Sequence, residues 1–224
     1  MLDVIVLIPA YQPGQHLVDL VGNLGTRQIV VVDDGSGPKY AAVFDKARGL
    51  GAAVVTHDRN RGKGYALRTG FAYVRDRYPD QPVVCADSDG QHRAEDIDAV
   101  ADLVTTSGAA MVLGIRRFTS EVPARSRFGN ALNRNAFRLM TGLSLRDTQT
   151  GLRGYPALML PWLCEIRGDR YEYEMNALLA AVRAGLPLAE VEIATIYLNS
   201  NAATHFRSVR DTALTLWPVL AYRR

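Results

Sequence analysis

The chain has 224 residues, 48% of them hydrophobic and 22% charged, with a formal net charge of +3. These values describe one α/β-sized globular domain, with or without a small annex, long enough to bury a sizeable core. No apolar stretch approaches the roughly 20 residues that a bilayer-spanning helix needs, the near-neutral charge gives no nucleic-acid partner, and the longest apolar candidate, "TALTLWPVLAY", is short and carries Pro218.

The N-terminus, "MLDVIVLIPA", lacks a basic lead and a small-residue cleavage site, so it reads as a strand and not as a signal peptide. Its β-branched apolar run suits a strand covered on both faces. "QIVVVDD" (28–34), "AAVVTH" (52–57), "PVVCAD" (82–87) and "AAMVLG" (109–114) have the same character. Between them lie stretches of helical length. "RGKGYALRTGFAYVRDRY" carries Ala66, Gly70, Tyr73 and Arg77 on one stripe, and "AEDIDAVADLVTTS" carries Ile97, Val100, Ala101 and Val104. Residues 126–142 and 171–184 read as helices, 188–198 as a strand, and 207–222 as a helix interrupted near Pro218. Strand–helix alternation predicts a mainly parallel sheet flanked by helices, joined by right-handed crossovers. The two cysteines, Cys85 and Cys164, have no ligand spacing, and a buried free thiol at Cys85 fits a reducing compartment.

Ligands of parallel α/β sheets bind beyond the carboxyl ends of the strands. Three ends here are polar: "IPAYQPG", "VVDDGSG" and "CADSDGQ". The dinucleotide fingerprint fails, because Pro9-Ala10-Tyr11-Gln12 stands where a glycine triplet is needed. The phosphate loop fails as well, because Gly64 follows Lys63 in place of Ser or Thr. Asp87 and Asp89 are two like charges at a strand end. They either cap the following helix or share a divalent cation, and oxygen-only ligands suit Mg²⁺ or Mn²⁺.

The segments "IPAYQP", "IVVVDDGS", "NRGKGYALRTG", "ADSDGQH" and "DTQTGLRGY" occur in this order. Together they resemble the family 2 glycosyltransferases with the GT-A fold, and within them the polyprenol-phosphate group of the dolichol-phosphate mannose synthase type. The resemblance implies a Rossmann-like α/β sandwich, a UDP- or GDP-sugar donor, a divalent metal and an inverting transfer to a polyprenyl phosphate. It places Pro9, Ala10, Tyr11 and Gln12 at the base and ribose, although many members carry Asn-Glu near Gln12. Asp33 and Asp34 match the pair of which one contacts the base, and Lys63 lies in the loop near the nucleotide. Asp87, Ser88 and Asp89 match the D-x-D motif, with Gln91 as the third metal position and His92 as a neighbour.

Residues 115–146 contain seven arginines and one acidic residue, Glu121. A guanidinium fork fits phosphate oxygens. On a helix, arginines 127, 134 and 138 fall within an arc of about 40°, opposite Phe128, Leu132, Ala136 and Leu139. That pattern suits either an anionic membrane surface or an ordinary surface helix. By resemblance, Arg116 and Arg127 (with Arg125 as the alternative) contact the lipid phosphate, and Glu174 occupies the family's acidic position. His205 and Arg207 lie in a basic loop that closes on the diphosphate. The expected organisation is a transferase domain over 1–206 and a juxtamembrane helical tail over 207–224, held peripherally at the cytoplasmic face of a membrane. A hydroxyl acceptor on a saccharide or protein, and a silent nucleotide-sugar-binding subunit serving a membrane partner protein, are the alternatives.

Overall fold

The computed structural model describes residues 4–107, 110–116, 124–194 and 216–221, and for 124–130 the backbone alone. The first half alternates strictly. It runs through β1 (Ile5–Ala10), α1 (Gln15–Asn23), β2 (Ile29–Asp33), α2 (Ala41–Gly49), β3 (Ala53–Thr56), α3 (Lys63–Arg77), β4 (Val83–Cys85), α4 (Ala94–Thr106) and β5 (Met111–Arg116). The second half holds α5 (Ala124–Thr141), β6 (Arg153–Tyr155), α6 (Leu160–Glu165), α7 (Glu172–Arg183) and β7 (Leu188–Ile193). The described strands form one sheet in the order β3-β2-β1-β4-β6-β5-β7. It is parallel except for β6, which runs antiparallel to both neighbours.

Alternation along β1 builds two cores. Ile5 and Leu7 face one layer, with α3, α6 and α7, while Val6 and Ile8 face the other, with α1, α2 and α4. Both faces are covered, which is why the strands read as unbroken apolar runs. Gly70 brings α3 against β1, since a Cβ there would lie 2.2 Å from Leu7 Cδ1.

Three expectations are corrected and one strand is added. The buried stripe of α3 is Gly64, Ala66, Leu67, Gly70, Phe71 and Val74, while Tyr73 is half-buried under the exposed Arg77 guanidinium. On α5, Asn133 and Phe137 are buried, but Leu132 is 42% and Leu139 80% exposed. The core takes the arc of 133, 137 and 140, not the one opposite the arginines. "RGY" within "DTQTGLRGY" is a strand; Gly154 admits it under α4, because a Cβ there would lie 2.9 Å from Val100 Cγ1. In the tail, Pro218 sits inside a helical turn over 216–220, where Val219 is fully buried. The expected strand beyond Ala194 and the tail before 216 lie outside the described residues.

Candidate active site

The sheet order reverses at β1, whose neighbours are β2 on one side and β4 on the other. Such a switch point opens a crevice beyond the strand ends. In register, Ala10 stands beside Asp33, and Leu7 beside Cys85. The loops after β1, β2 and β4 therefore leave the same edge. Because β6 is antiparallel, with Arg153 opposite both Cys85 and Leu113, the loop that precedes it reaches that edge too.

Pro9 and Ala10 are buried at the end of β1, and Tyr11 is half-buried. Gln12 adopts φ 50°, and its N–H donates to Ser36 Oγ at 2.8 Å. Asp33 Oδ1 in turn accepts from Ser36 N at 2.9 Å. Ser36 thus ties the first two loops together.

The buried Asp34 carboxylate is consumed by the protein itself. Oδ2 accepts from Asn60 Nδ2 at 2.9 Å and Gly62 N at 2.7 Å, and Oδ1 accepts from Arg61 N at 2.9 Å. His57 Nδ1 lies 2.9 Å from Oδ1, and its Nε2 lies 3.0 Å from Thr69 Oγ1. Asp34 therefore shapes the loop that leads into Lys63. Gly62, at φ 102°, permits that loop to pass Asp169, whose carbonyl a Cβ would meet at 2.3 Å.

Lys63 opens α3 and points at two carboxylates. Its Nζ lies 2.7 Å from Asp87 Oδ1 and 3.1 Å from Glu174 Oε2. Burial alone would lower the ammonium's pKa, but Asp87 and Glu174 outweigh it and raise it. Burial likewise opposes ionisation of Asp87, yet Lys63 and His92 hold this carboxyl well below the usual range. His92 is buried, with Nε2 3.7 Å from Asp87 Oδ2. Asp89 shifts the other way, raised by burial and then by the charge of Asp87. Its Oδ1 accepts from Gln91 N at 3.1 Å. Ser88 and Gln91 are half-buried in the same turn.

Across the crevice, Gly151 faces Asp87, and a Cβ at 151 would lie 2.2 Å from Oδ2. The fully buried Arg153 fixes this loop by donating to Thr148 O, Thr150 O and Glu174 O at 2.7–3.1 Å. His92 Nδ1 and Thr148 Oγ1 are buried without a hydrogen-bond partner among the described residues. No cluster of three or more His, Cys, Asp or Glu suited to a metal is gathered among the described residues. Two carboxylates and no more suit Mg²⁺ or Mn²⁺, which keep waters and take substrate phosphates as further ligands. The like-charged pair, in which the charge of Asp87 bears on Asp89, fits such an ion.

Arg116, at the end of β5, is paired with the fully buried Asp147, at 2.7 Å from Nε to Oδ2 and 3.2 Å from Nη2 to Oδ1. Arg146 pairs with Glu190 and Glu192 of β7. Among the described residues, Arg116 and Arg146 therefore have carboxylate partners inside the protein, while Arg138 is exposed on α5. The side chain of Arg127, and all of His205 and Arg207, lie outside the described residues. Sequence reasoning did not single out His57, Asn60 or Gly151 in these roles. The only trace of the first two is a polar run, "HDRNRG", between a strand and a helix.

A crevice at the sheet's switch point, with two carboxylates in the turn after the middle strand, is where an α/β sheet of this kind binds its ligand. The family model for glycosyl transferase family 2 matches residues 5–158, and the chain belongs to that family. It is 33% identical to an uncharacterized protein of Methanocaldococcus jannaschii over 204 residues, covering 87% of this chain and 82% of that one. It is 27% identical over 239 residues to the UDP-N-acetylglucosamine–dolichyl-phosphate N-acetylglucosaminyltransferase of Methanococcus voltae, covering 97% and 92%. Among solved structures, glucosyl-3-phosphoglycerate synthase from Mycobacterium tuberculosis, in complex with Mn²⁺, UDP-glucose and phosphoglyceric acid, superposes with a TM-score of 0.67. Identity there is 19%, covering all of this chain and 81% of that one. The fold is GT-A, and the chain is a glycosyltransferase.

Proposed function

We propose that this chain moves a sugar from a UDP- or GDP-sugar to a polyprenyl phosphate, with inversion at the sugar carbon. The observation that carries the acceptor is the likeness, over nearly the full length of both chains, to a transferase named for dolichyl phosphate. The arginine-rich segment around β5 and α5 supports it, since guanidinium forks match phosphate oxygens. A phosphate monoester, with a second pKa of about 6, is already a nucleophile at neutral pH. A hydroxyl would need a strong general base.

In this reading Pro9, Ala10, Tyr11, Gln12 and Asp33 line the nucleoside side, and Asp34 shapes the loop carrying Lys63. Asp87 and Asp89, with Ser88 and Gln91 alongside, hold Mg²⁺ or Mn²⁺, which would neutralise charge growing on the leaving diphosphate. Lys63, His205 and Arg207 attend the same diphosphate. Arg116 and Arg127 receive the acceptor phosphate, and Glu174 anchors Lys63. No described helix is long and apolar enough to cross a membrane. Residues 1–206 then act as the transferase domain, and α5 with the tail 207–224 rests peripherally on the cytoplasmic face.

The deciding experiment screens nucleotide sugars for thermal stabilisation with Mn²⁺. It then compares transfer to a short polyprenyl phosphate with transfer to its unphosphorylated alcohol. Transfer to the phosphate alone is expected, and equal activity on both would move the assignment to a hydroxyl acceptor.

A further inference from the structure

Two carboxylates of the crevice share one ammonium. Lys63 Nζ touches Asp87 Oδ1 at 2.7 Å and Glu174 at 3.1–3.2 Å. The side chain of Asp87 is 31% exposed, whereas those of Lys63 and Glu174 are 16% and 12% exposed. The lysine therefore sits behind Asp87, and any ion arriving from solvent meets a carboxylate whose inner oxygen is already bound.

We propose that Lys63 is an exchangeable internal cation, which holds the place of the divalent ion on Asp87 and transfers to the diphosphate when the donor arrives. The proposal rests on the reading of Asp87 and Asp89 as the metal site. An ammonium and a divalent ion on one carboxylate repel strongly at this range. Moving the ammonium away is costly unless it meets a new anion, because an unpaired charge in a half-buried site loses both water and partner. A diphosphate is such an anion. Ion and donor then enter together, and binding of the bare ion is suppressed.

The surroundings allow the exchange. Gly62 and Gly64 seat the start of α3 against residues 168–170, where no Cβ fits, so the helix end is fixed. Tyr65 N donates to Asp169 O at 3.1 Å in the same seat. Only the lysine side chain needs to move. Glu174 remains behind it, its own backbone carbonyl held by Arg153 at 2.7 Å.

The test is calorimetry on the full chain, with MnCl₂ alone and with inorganic pyrophosphate in the presence of MnCl₂. Lys63→Met is expected to bind MnCl₂ alone about tenfold tighter or more, since a repelling charge is gone. The same variant is expected to bind pyrophosphate with Mn²⁺ about tenfold weaker or worse, having lost a charge-assisted bond. A role limited to holding the fold would weaken both. Lys63→Arg keeps the charge and should stay near wild type with MnCl₂ alone. If the Met variant does not fold, Lys63→Gln retains a donor toward Asp87 and Glu174 and carries the same expectations. Unchanged or weaker MnCl₂ binding in a folded neutral variant overturns the exchange. Absence of Mn²⁺ binding by the wild type, with and without pyrophosphate, overturns the metal site itself and the exchange with it.

Discussion

Gly151 and Asp87 meet so closely that the first carbon of any side chain at 151 would lie 2.2 Å from Oδ2 of the aspartate. Asp87 cannot simply swing away, because Lys63 holds its other oxygen. Gly151→Ala is therefore expected to displace this carboxylate and to leave the two cores intact. Transfer should fall by about tenfold or more, as for a loss of one charge-assisted contact. Stabilisation by Mn²⁺ with donor should fall with it, while the melting temperature without ligand stays within a few degrees. A variant with wild-type turnover would show that Asp87 does not need the position it holds here.

Asp34 governs the loop over 57–62 through four donors on one carboxylate. Asp34→Ala leaves the Arg61 and Gly62 N–H groups without their acceptor, at a cost of about 1–3 kcal/mol each where they stay buried. The expected result is faster amide exchange across 57–63 and weaker donor binding. His57→Ala removes one partner and should do the same more weakly. Full donor affinity in Asp34→Ala would make the loop independent of its anchor.

Arg116 and Asp147 form a pair in which the acid is fully buried. Removing the cation from such a pair is destabilising by about 3–5 kcal/mol. Arg116→Ala should thus lower the melting temperature, and Arg116→Ala with Asp147→Ala should recover part of it. If Arg116 also binds the acceptor phosphate, the double variant regains stability without regaining transfer. Recovery of both would confine Arg116 to a structural role.

Asp96 is buried near the start of α4, bonded to Arg93 and accepting from Ala194 N at 3.0 Å. Burial works to raise its pKa, but the Arg93 and Ala194 donors prevail and lower it. A folded value below the unfolded one stabilises the protein above the ordinary carboxyl range of about 4, and that stability is lost as pH falls through the folded value. Asp96→Asn is expected to cost about 1 kcal/mol at neutral pH, or roughly 2–4 °C for a chain of this size. The gap from wild type should close as pH falls below the ordinary carboxyl range. A gap independent of pH would mean that charge is not what the site uses.

Leu139 on α5 is 80% exposed beside Arg138, and Trp217 in the tail is 71% exposed. Vesicles with anionic lipid should sediment the protein at low salt, and salt should release it, since each basic residue near such a surface contributes about 1 kcal/mol before screening. Arg138→Glu and Trp217→Ala are each expected to weaken binding several-fold. Sedimentation equal to wild type in both variants would remove these residues from any membrane contact.

The first half of the fold was legible because β1, β2, β4 and β5 are buried almost throughout and so announce themselves as unbroken apolar runs. β6 was not, because three residues with a central glycine carry no such run and its place is set by α4 passing over Gly154. The exposed leucines of α5 misled for a related reason. A helix can bury one narrow arc around Phe137 and leave other leucines in water, and periodicity does not say which arc wins. At the site, the D-x-D pair and Lys63 were readable as motif residues. The distances that join Lys63, Asp87 and Glu174 were not, since they come from three elements far apart in the chain. The match of Asp33 and Asp34 to a pair of which one contacts the base gave no sign of the Asp34 neighbours at 57–62, because hydrogen bonds across 23 to 28 residues leave no local signature.

The antiparallel β6 also orders events in time. Residues 4–85 can assemble β3, β2, β1 and β4 from neighbouring segments, but β5 has no ladder partner among those strands. It must wait for residues 153–155 to thread between it and β4, and then for β7. Such non-local pairings are slow to form. During synthesis, the edges of β4 and β5 therefore stand open for the whole interval in which α5 is made, a period when unpaired strands invite association between chains. The short strand that brings Gly151 to Asp87 is thus also the one that joins β5 to the rest of the sheet, so the crevice and that junction are completed by the same step.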